Sequence, residues 1–367
     1  MAGAARCGRL TTAHGVVLTP AFMPVGTLGA VKGVTPQALE EAGASILLSN
    51  LYHLSLRPGI DVVERLGGLH RFAGWERPIL TDSGGFQVWS LGGLRAIDED
   101  GVTFKSHLDG SPARFTPESV VAMQERMGVD IAMVLDECPP YPVTREEAAA
   151  SWERTRRWAL RARAAARGNL GGRGGSALFG IVQGSGFEDL RLQAAADLAG
   201  AGFDGHAIGG VSVGEPPELR RAAVEWTAPA LPADRPRYLM GVGYPADILH
   251  AVACGVDLFD CVLPARNARH GVLFTRDGVL KIRNARYKDD PRPPDPACAC
   301  PLCSRLSRAF LHHLERSDEL TAKVLATLHN LRFYLDFMAE VRQSITLGTL
   351  TDLAARHATR FTPHEEP

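Results

Sequence analysis

Two aspartates stand in settings where a carboxylate can do chemistry. Asp82 lies in the run Leu80-Thr-Asp-Ser-Gly-Gly-Phe-Gln87, where small residues let backbone approach a ligand closely. Asp260 lies in Leu258-Phe-Asp-Cys-Val-Leu-Pro264, among apolar neighbours. Two carboxylates facing one site can divide the work of nucleophile and general acid/base. Either one alone could equally cap a helix or sit in a buried ion pair. Their positions at the ends of apolar runs favour the shared site.

A second constellation is Cys298-Ala-Cys300-Pro-Leu-Cys303, followed after 25 residues by His329. Three thiolates and one imidazole complete a tetrahedral Zn²⁺ shell with no position open for water, so one structural Zn²⁺ per chain is expected. His312 and His313 compete as ligands, but the chain from Cys303 has little length to wrap back to them. The third signal is electrostatic. Positions 264–288 hold Arg266, Arg269, Arg276, Lys281, Arg283, Arg286 and Lys288 against a single acid, Asp277, in a chain of net charge -1. A phosphate-bearing polymer suits such a strip. A solvated hairpin is the plainer reading, because Arg276-Asp277-Gly278 is a turn signal. The basic cluster 154–167 reads as the solvated face of a helix.

These residues need a scaffold that brings strand ends together. Apolar runs at 21–25, 45–50, 79–82, 131–136, 177–183, 206–209, 238–242 and 258–262 read as strands buried on both faces. Helical patterns separate most of them, at 37–42, 117–127, 146–166, 188–199 and 246–252. Thr35-Pro36 and Thr116-Pro117 open two of these helices, and Gly128 closes one. Eight alternations predict an α/β fold, a (β/α)8 TIM barrel. Asn50, Asp82, Asp136, Gln183 and Asp260 then lie at or near C-terminal strand ends and meet at one mouth. An open doubly wound sheet is the rival, but no GxGxxG follows an early strand. Asp100-Gly101 and Asp109-Gly110 predict an inserted β-hairpin region near 94–115. The expected division is a barrel over 1–290 and a zinc-binding subdomain with C-terminal helices, packed on the barrel, over 291–367. A helix over 305–314 is expected to start at the metal knuckle. The chain has 367 residues, 45% hydrophobic and 22% charged, enough for a sizeable core. It shows no apolar stretch long enough to span a membrane and no signal-peptide core, so a cytoplasmic protein is expected.

The motifs taken together resemble the queuine/tRNA-guanine transglycosylase family, bacterial type. Phe22-Met-Pro-Val-Gly-Thr27, Thr81-Asp-Ser-Gly-Gly-Phe-Gln87, Asp136-Glu-Cys-Pro-Pro-Tyr-Pro142, Gly180-Ile-Val-Gln-Gly184, Gly209-Gly-Val-Ser-Val-Gly-Glu215, Tyr238-Leu-Met-Gly-Val-Gly243 and Phe259-Asp-Cys-Val-Leu-Pro264 carry it, in the family's order. The resemblance implies a glycosyltransferase that exchanges guanine at anticodon position 34 of GUN-anticodon tRNAs (Asp, Asn, His, Tyr) for 7-aminomethyl-7-deazaguanine, in queuosine biosynthesis. It implies a double displacement through a covalent aspartyl-ribose intermediate, with Asp260 as nucleophile and Asp82 as general acid/base, oriented by Asn50. Asp136, Gln183, Gly209, Gly210, Val211, Phe86 and Met240 would bind the base, and Arg266 and Arg269 the tRNA. Cys138 and Val213 resemble the bacterial branch. Leu51 and Ala265 depart from the threonine of many members.

The resemblance also implies a homodimer. Leu306, Phe310 and His313, at helical spacing, would share one face at its interface. Two rivals remain from the residues alone: a non-catalytic RNA-binding accessory subunit, which would lack the aspartates, and a retaining glycoside hydrolase, which would not need the basic strip.

Overall fold

The structure is a computed structural model that describes residues 3–85, 95–167, 175–358 and 360–361. Eight parallel strands build its centre: Ala21–Met23, Leu47–Asn50, Ile79–Asp82, Ile131–Met133, Ala177–Val182, Gly205–Ile208, Arg237–Leu239 and Leu258–Asp260. They follow one another in sequence order around the sheet, with the eighth paired to the first through Leu258↔Ala21 and Asp260↔Met23. A parallel bridge, Val25↔Leu48, joins the first strand's end to the second and closes the ring. The expected barrel is therefore present. Its strands are buried almost throughout because both faces are covered; all six residues of Ala177–Val182 are buried and apolar. Several are shorter than their apolar runs. The fourth stops at Met133, although Val134 and Leu135 stay fully buried, because the ladder ends before burial does.

Local chemistry explains the helices. Thr116 caps Pro117–Met127 by accepting from the Ser119 N–H, and Gly128 closes it at φ 69°. Thr144 and Glu147 form the same reciprocal cap on Arg145–Ala165. Among the described residues five helices and a hairpin differ from expectation, one of them Leu263–Arg269, which follows the eighth strand. Pro217–Ala230 carries proline at its first turn, where the missing N–H costs nothing. Leu51–Leu56, Ile60–Arg65 and Gly68–Ala73 are six residues each, too short for periodicity to show. The hairpin Gly8–Thr12/Gly15–Thr19 precedes the barrel.

The insertion is a three-stranded antiparallel sheet, Arg95–Ile97, Val102–Lys105 and Pro112–Phe115. Leu94, at the edge of the expected span, lies outside the described residues. Gly101 is required there, since a Cβ would sit 2.1 Å from the Phe115 carbonyl oxygen. The long helix Arg145–Ala165 holds this sheet: Trp158 Nε1 and Arg161 Nη1 donate to the Glu99 carbonyl at 2.8 Å and 3.0 Å. Much of the basic cluster 154–167 is thus engaged, including Arg157 on Glu99.

After the eighth strand come a hairpin, Val272–Thr275/Gly278–Lys281, and the helices Pro301–Arg305, Arg308–Arg316, Leu320–Leu347 and Leu350–Ala358. The expected helix over 305–314 is two helices. Ser307 accepts from the Phe310 N–H at 3.1 Å and starts a new one, which breaks the chain at Leu306. Leu306 consequently packs against the smaller core while Phe310 is 44% exposed, so Leu306, Phe310 and His313 do not form one helical stripe. No helix among the described residues is long and apolar enough to cross a membrane.

Candidate active site and metal centre

The C-terminal strand ends surround a cavity of about 710 Å³. Asn50, Asp82, Asp136, Gln183, Gly209, Gly210, Val211, Met240, Asp260 and Arg266 all line it. Phe86 lies outside the described residues. Arg269 is not among the lining side chains; its guanidinium turns back to the Ala265 carbonyl at 2.8 Å. This is a main-chain acceptor, so alanine at 265 leaves the contact intact.

Each functional group is fixed by strand register. Asn50 and Asp82 are directly paired residues of the second and third strands. Asn50 Nδ2 donates to Asp82 Oδ2, and the Leu51 N–H donates to Oδ1 at 3.0 Å. Leu51 contributes its backbone there and buries its side chain completely, so leucine serves at that position. Across the ring, Tyr238 pairs with Leu258, two residues before Asp260 and on the same face of the strand. The Tyr238 hydroxyl donates to Asp260 Oδ1 at 2.6 Å and the Gly241 N–H to the same oxygen at 2.8 Å. Both bonds go to Oδ1 rather than Oδ2. Burial raises the Asp260 pKa, against the lowering effect of these two donors.

Asp136 lies past the end of the fourth strand and is buried. Burial pushes its carboxyl up to about 6, although Gln183 Nε2 donates to Oδ2 at 2.6 Å and the Ser83 hydroxyl to Oδ1 at 3.4 Å. The Ser-Gly-Gly run makes room for this carboxylate: a Cβ on Gly85 would lie 2.7 Å from Asp136 Oδ1. Gln183 Oε1 is buried and finds no partner among the described residues, as expected of a pocket that a ligand completes. Gly210, at φ 61°, passes so close that a Cβ would meet Gln183 Oε1 at 2.4 Å.

Two residues of this architecture were missed. Arg191 is fully buried and, among the described residues, has no carboxylate in contact. Its guanidinium donates to the carbonyls of Ser185 (2.5 Å), Gly209 (3.2 Å) and Gly210 (2.9 Å), and so clamps the Gly-Gly turn. Its signal was an arginine on the apolar stripe of Glu188–Ala199, three, four and seven residues before Ala194, Ala195 and Leu198. Tyr238 stood inside a quoted motif, but its role appears only once the register is known.

At the second constellation, the ligand atoms of Cys298, Cys300, Cys303 and His329 lie within 4.8 Å of one another. His329 Nδ1 is 3.5 Å from Cys300 Sγ and 3.3 Å from Cys303 Sγ. Nε2 lies 2.9 Å from the Phe274 carbonyl, which can only accept. The proton is thereby fixed on Nε2, and the Nδ1 lone pair faces the thiols. This donor set can hold a metal ion. His312 Nδ1 lies 2.7 Å from the Ile282 carbonyl instead. The basic strip is partly engaged: it forms the hairpin its turn signal indicated, and Arg283 pairs with Glu315 at 2.6 Å.

A family model described as queuine tRNA-ribosyltransferase matches residues 2–363. The chain belongs to the queuine tRNA-ribosyltransferase family. It is therefore an enzyme of glycosyltransferase type. Similar proteins include the queuine tRNA-ribosyltransferase of Aromatoleum aromaticum, 56% identical over 358 residues, which are 96% of this chain and 95% of the relative. Those of Thiobacillus denitrificans and Nitrosomonas europaea are 54% and 53% identical, covering 98% and 96% of this chain and 96% and 94% of their own lengths.

The raised Asp136 pKa carries a stability consequence. A carboxyl that titrates near 6 folded and near 3.8 unfolded makes stability fall as pH rises between those values. The two-unit shift corresponds to about 3 kcal/mol lost by neutral pH. Asp136→Asn is expected to remove that slope and to raise the unfolding midpoint at pH 7.5 but not at pH 4. Equal wild-type and variant midpoints across that range would contradict the assignment.

Proposed function

We propose that this enzyme exchanges the guanine at position 34 of GUN-anticodon tRNAs for 7-aminomethyl-7-deazaguanine, as one step of queuosine biosynthesis in the cytoplasm. The observation that carries the reading is the opening of Asp82 and Asp260 into one cavity with the Asp136–Gln183 pair. Asp260 Oδ2 attacks C1′ of the ribose while the C1′–N9 bond breaks. Tyr238 and Gly241 hold Oδ1 and aim the carboxylate. Asp82 gives a proton to the departing guanine, and recovers one from N9 of the incoming base as that nitrogen displaces Asp260 from C1′. Asn50 keeps Asp82 turned into the cavity. A covalent ester links ribose and Asp260 between the two displacements, so the configuration at C1′ is retained.

The pocket chemistry suits a guanine edge. An ionised Asp136 accepts from N1–H and the exocyclic amine. Gln183 Nε2 has a second N–H beyond the one given to Asp136, and with the Gly210 N–H it can donate to O6. Gly209 and Val211 shape the turn around the ring, which Met240 covers on one face. The base must leave its stack to enter. Arg266 at the cavity rim and Arg269 beside it would meet the anticodon backbone. Base binding should weaken as pH falls through about 6, because protonated Asp136 turns from acceptor to donor.

Asp260→Asn should abolish the covalent RNA adduct on denaturing gels, since an amide is not a competent nucleophile at carbon. Persistence of the adduct would place the nucleophile elsewhere. Asp82→Asn should impair exchange with less effect on guanine binding than Asp136→Ala; the reverse ranking would mean that the two roles are exchanged.

We read the Cys298, Cys300, Cys303 and His329 cluster as a structural Zn²⁺ site within a C-terminal unit that begins near residue 291 and packs on the barrel. A bound ion would supply cross-links and no chemistry at the ribose. The expected content is one Zn²⁺ per chain at this cluster. Cys300→Ser should lose that ion and thermal stability together, while a metal-free wild type of full activity and stability would exclude the site.

The same unit is proposed to form a homodimer interface through Phe310 and His313, whose rings lie 6.4 Å apart on the exposed side of Arg308–Arg316. The second subunit then offers basic surface to the rest of the tRNA. Phe310→Glu should move the protein toward monomer by light scattering and weaken exchange with zinc content unchanged. A wild-type monomer at micromolar concentration, or an unaltered dimer in the variant, rules this interface out.

A further inference from the structure

At the opposite end of the barrel from the cavity, two imidazoles converge on one carboxylate. Asp130 immediately precedes the fourth strand. His14 occupies the turn between Gly8–Thr12 and Gly15–Thr19, and His70 lies in the helix Gly68–Ala73. His14 Nδ1 is 3.0 Å from Asp130 Oδ1, and His70 Nε2 is 3.0 Å from Oδ2. The three ligand atoms lie within 4.8 Å of one another. None of the three residues lines the active-site cavity, and no step proposed above uses them.

We propose that His14, His70 and Asp130 form a second metal site, for a borderline divalent ion such as Zn²⁺ or Ni²⁺. Two imidazole nitrogens and a carboxylate oxygen are the donors such ions take, with water completing the shell on the open side. The Asp130 side chain is inaccessible to solvent, whereas 38% of the His14 side chain and 11% of the His70 side chain are exposed. The cluster is therefore rooted in the core and reachable from outside.

Backbone anchors the carboxylate as well as the two rings do: it accepts the Ile79 N–H at 2.9 Å and the His14 N–H at 3.2 Å. Each neutral ring can then carry its proton on the far nitrogen and turn a lone pair inward.

The two rings lie 3.5 Å apart and 16° from parallel. Imidazole donates in its own plane, so two stacked rings cannot both aim at one ion. Binding must swing one ring outward. His14, on an exposed turn, is the ring free to do so, while His70 and Asp130 stay as the fixed half of the site. A bound ion would tie the N-terminal hairpin to Gly68–Ala73 and to the starts of the third and fourth strands. The expected consequence is stability rather than catalysis. With no thiolate in the set, the ion should exchange faster than one held by three cysteines.

The test compares full-length wild type with His14→Ala and His14→Gln after dialysis against micromolar Zn²⁺. Metal content would be measured by mass spectrometry and the unfolding midpoint by calorimetry. Glutamine keeps a donor for Asp130 but offers no nitrogen lone pair. Wild type should hold one more ion per chain than either variant, whatever the cysteine cluster holds. Its midpoint should rise with added Zn²⁺, and theirs should not. Equal metal content in all three proteins, or a variant that keeps the extra ion, overturns the site.

Discussion

Asn50 and Asp82 meet because they are partners in a parallel ladder, and the geometry of the mouth depends on that register. Successive side chains of a strand alternate between its faces, so a slip of one residue between the second and third strands would turn Asp82 away from Asn50 and out of the cavity. The same rule places Tyr238 beneath Asp260 on the other side of the ring. Closure through Val25↔Leu48 brings the second strand round to the first, which is paired with the eighth. Asp82 and Asp260 therefore belong to strands far apart in sequence, with only the first two strands between them around the seam.

One helix carries this order into the C-terminal region. Leu320–Leu347 presents His329 to the three thiols, Asn330 to the backbone and Tyr334 to the barrel. Asn330 is buried with its capacity used: Oδ1 accepts the Phe274 N–H at 2.9 Å, and Nδ2 donates to the carbonyls of Pro264 (2.9 Å) and Val272 (3.0 Å). Tyr334 donates to the Gly243 carbonyl at 2.7 Å and packs 4.7 Å from Phe22 of the first strand. Pro264 lies in the first turn of the helix Leu263–Arg269, just after Asp260, and Gly243 in the segment after the seventh strand. A metal ion at the cysteine cluster would thus act on the candidate site through one helix, by holding these two segments beside Asp260.

The barrel was legible because each strand is buried on both faces and flanked by turn or cap residues, a pattern that Ala177–Val182 shows most plainly. The cysteine cluster was legible from spacing, since three thiols in six positions have few other uses outside an oxidising compartment. What escaped was long-range. The helix expected to continue from the metal knuckle is cut by Ser307, whose side chain satisfies an N–H that periodicity does not weigh. Leu306 then turns into the small core instead of joining Phe310. Arg191 acts through carbonyls of the segments past the fifth and sixth strands, and Tyr238 through a carboxylate of the next strand; neither role follows from local periodicity. The basic strip read as one surface, but Arg283 reaches Glu315 from thirty-two positions away.

The two cavity carboxylates with raised pKa values owe the shift to the same cause and serve it differently. Burial disfavours the ionised form of both Asp136 and Asp260, and a surrounding of pure hydrogen-bond donors would have cancelled the effect. Asp260 receives two donors on a single oxygen, and neither of them reaches the other oxygen. Asp136 receives one short bond from Gln183 and one long bond from Ser83, which leaves acceptor capacity for a ligand that brings N–H groups. In both cases the fold stops short of satisfying the anion. The apolar barrel, with most of its core side chains fully excluded from water, is large enough to offset that deficit. A pocket whose acids were already fully hydrogen-bonded would be more stable, and it would have less acceptor capacity to offer a ligand.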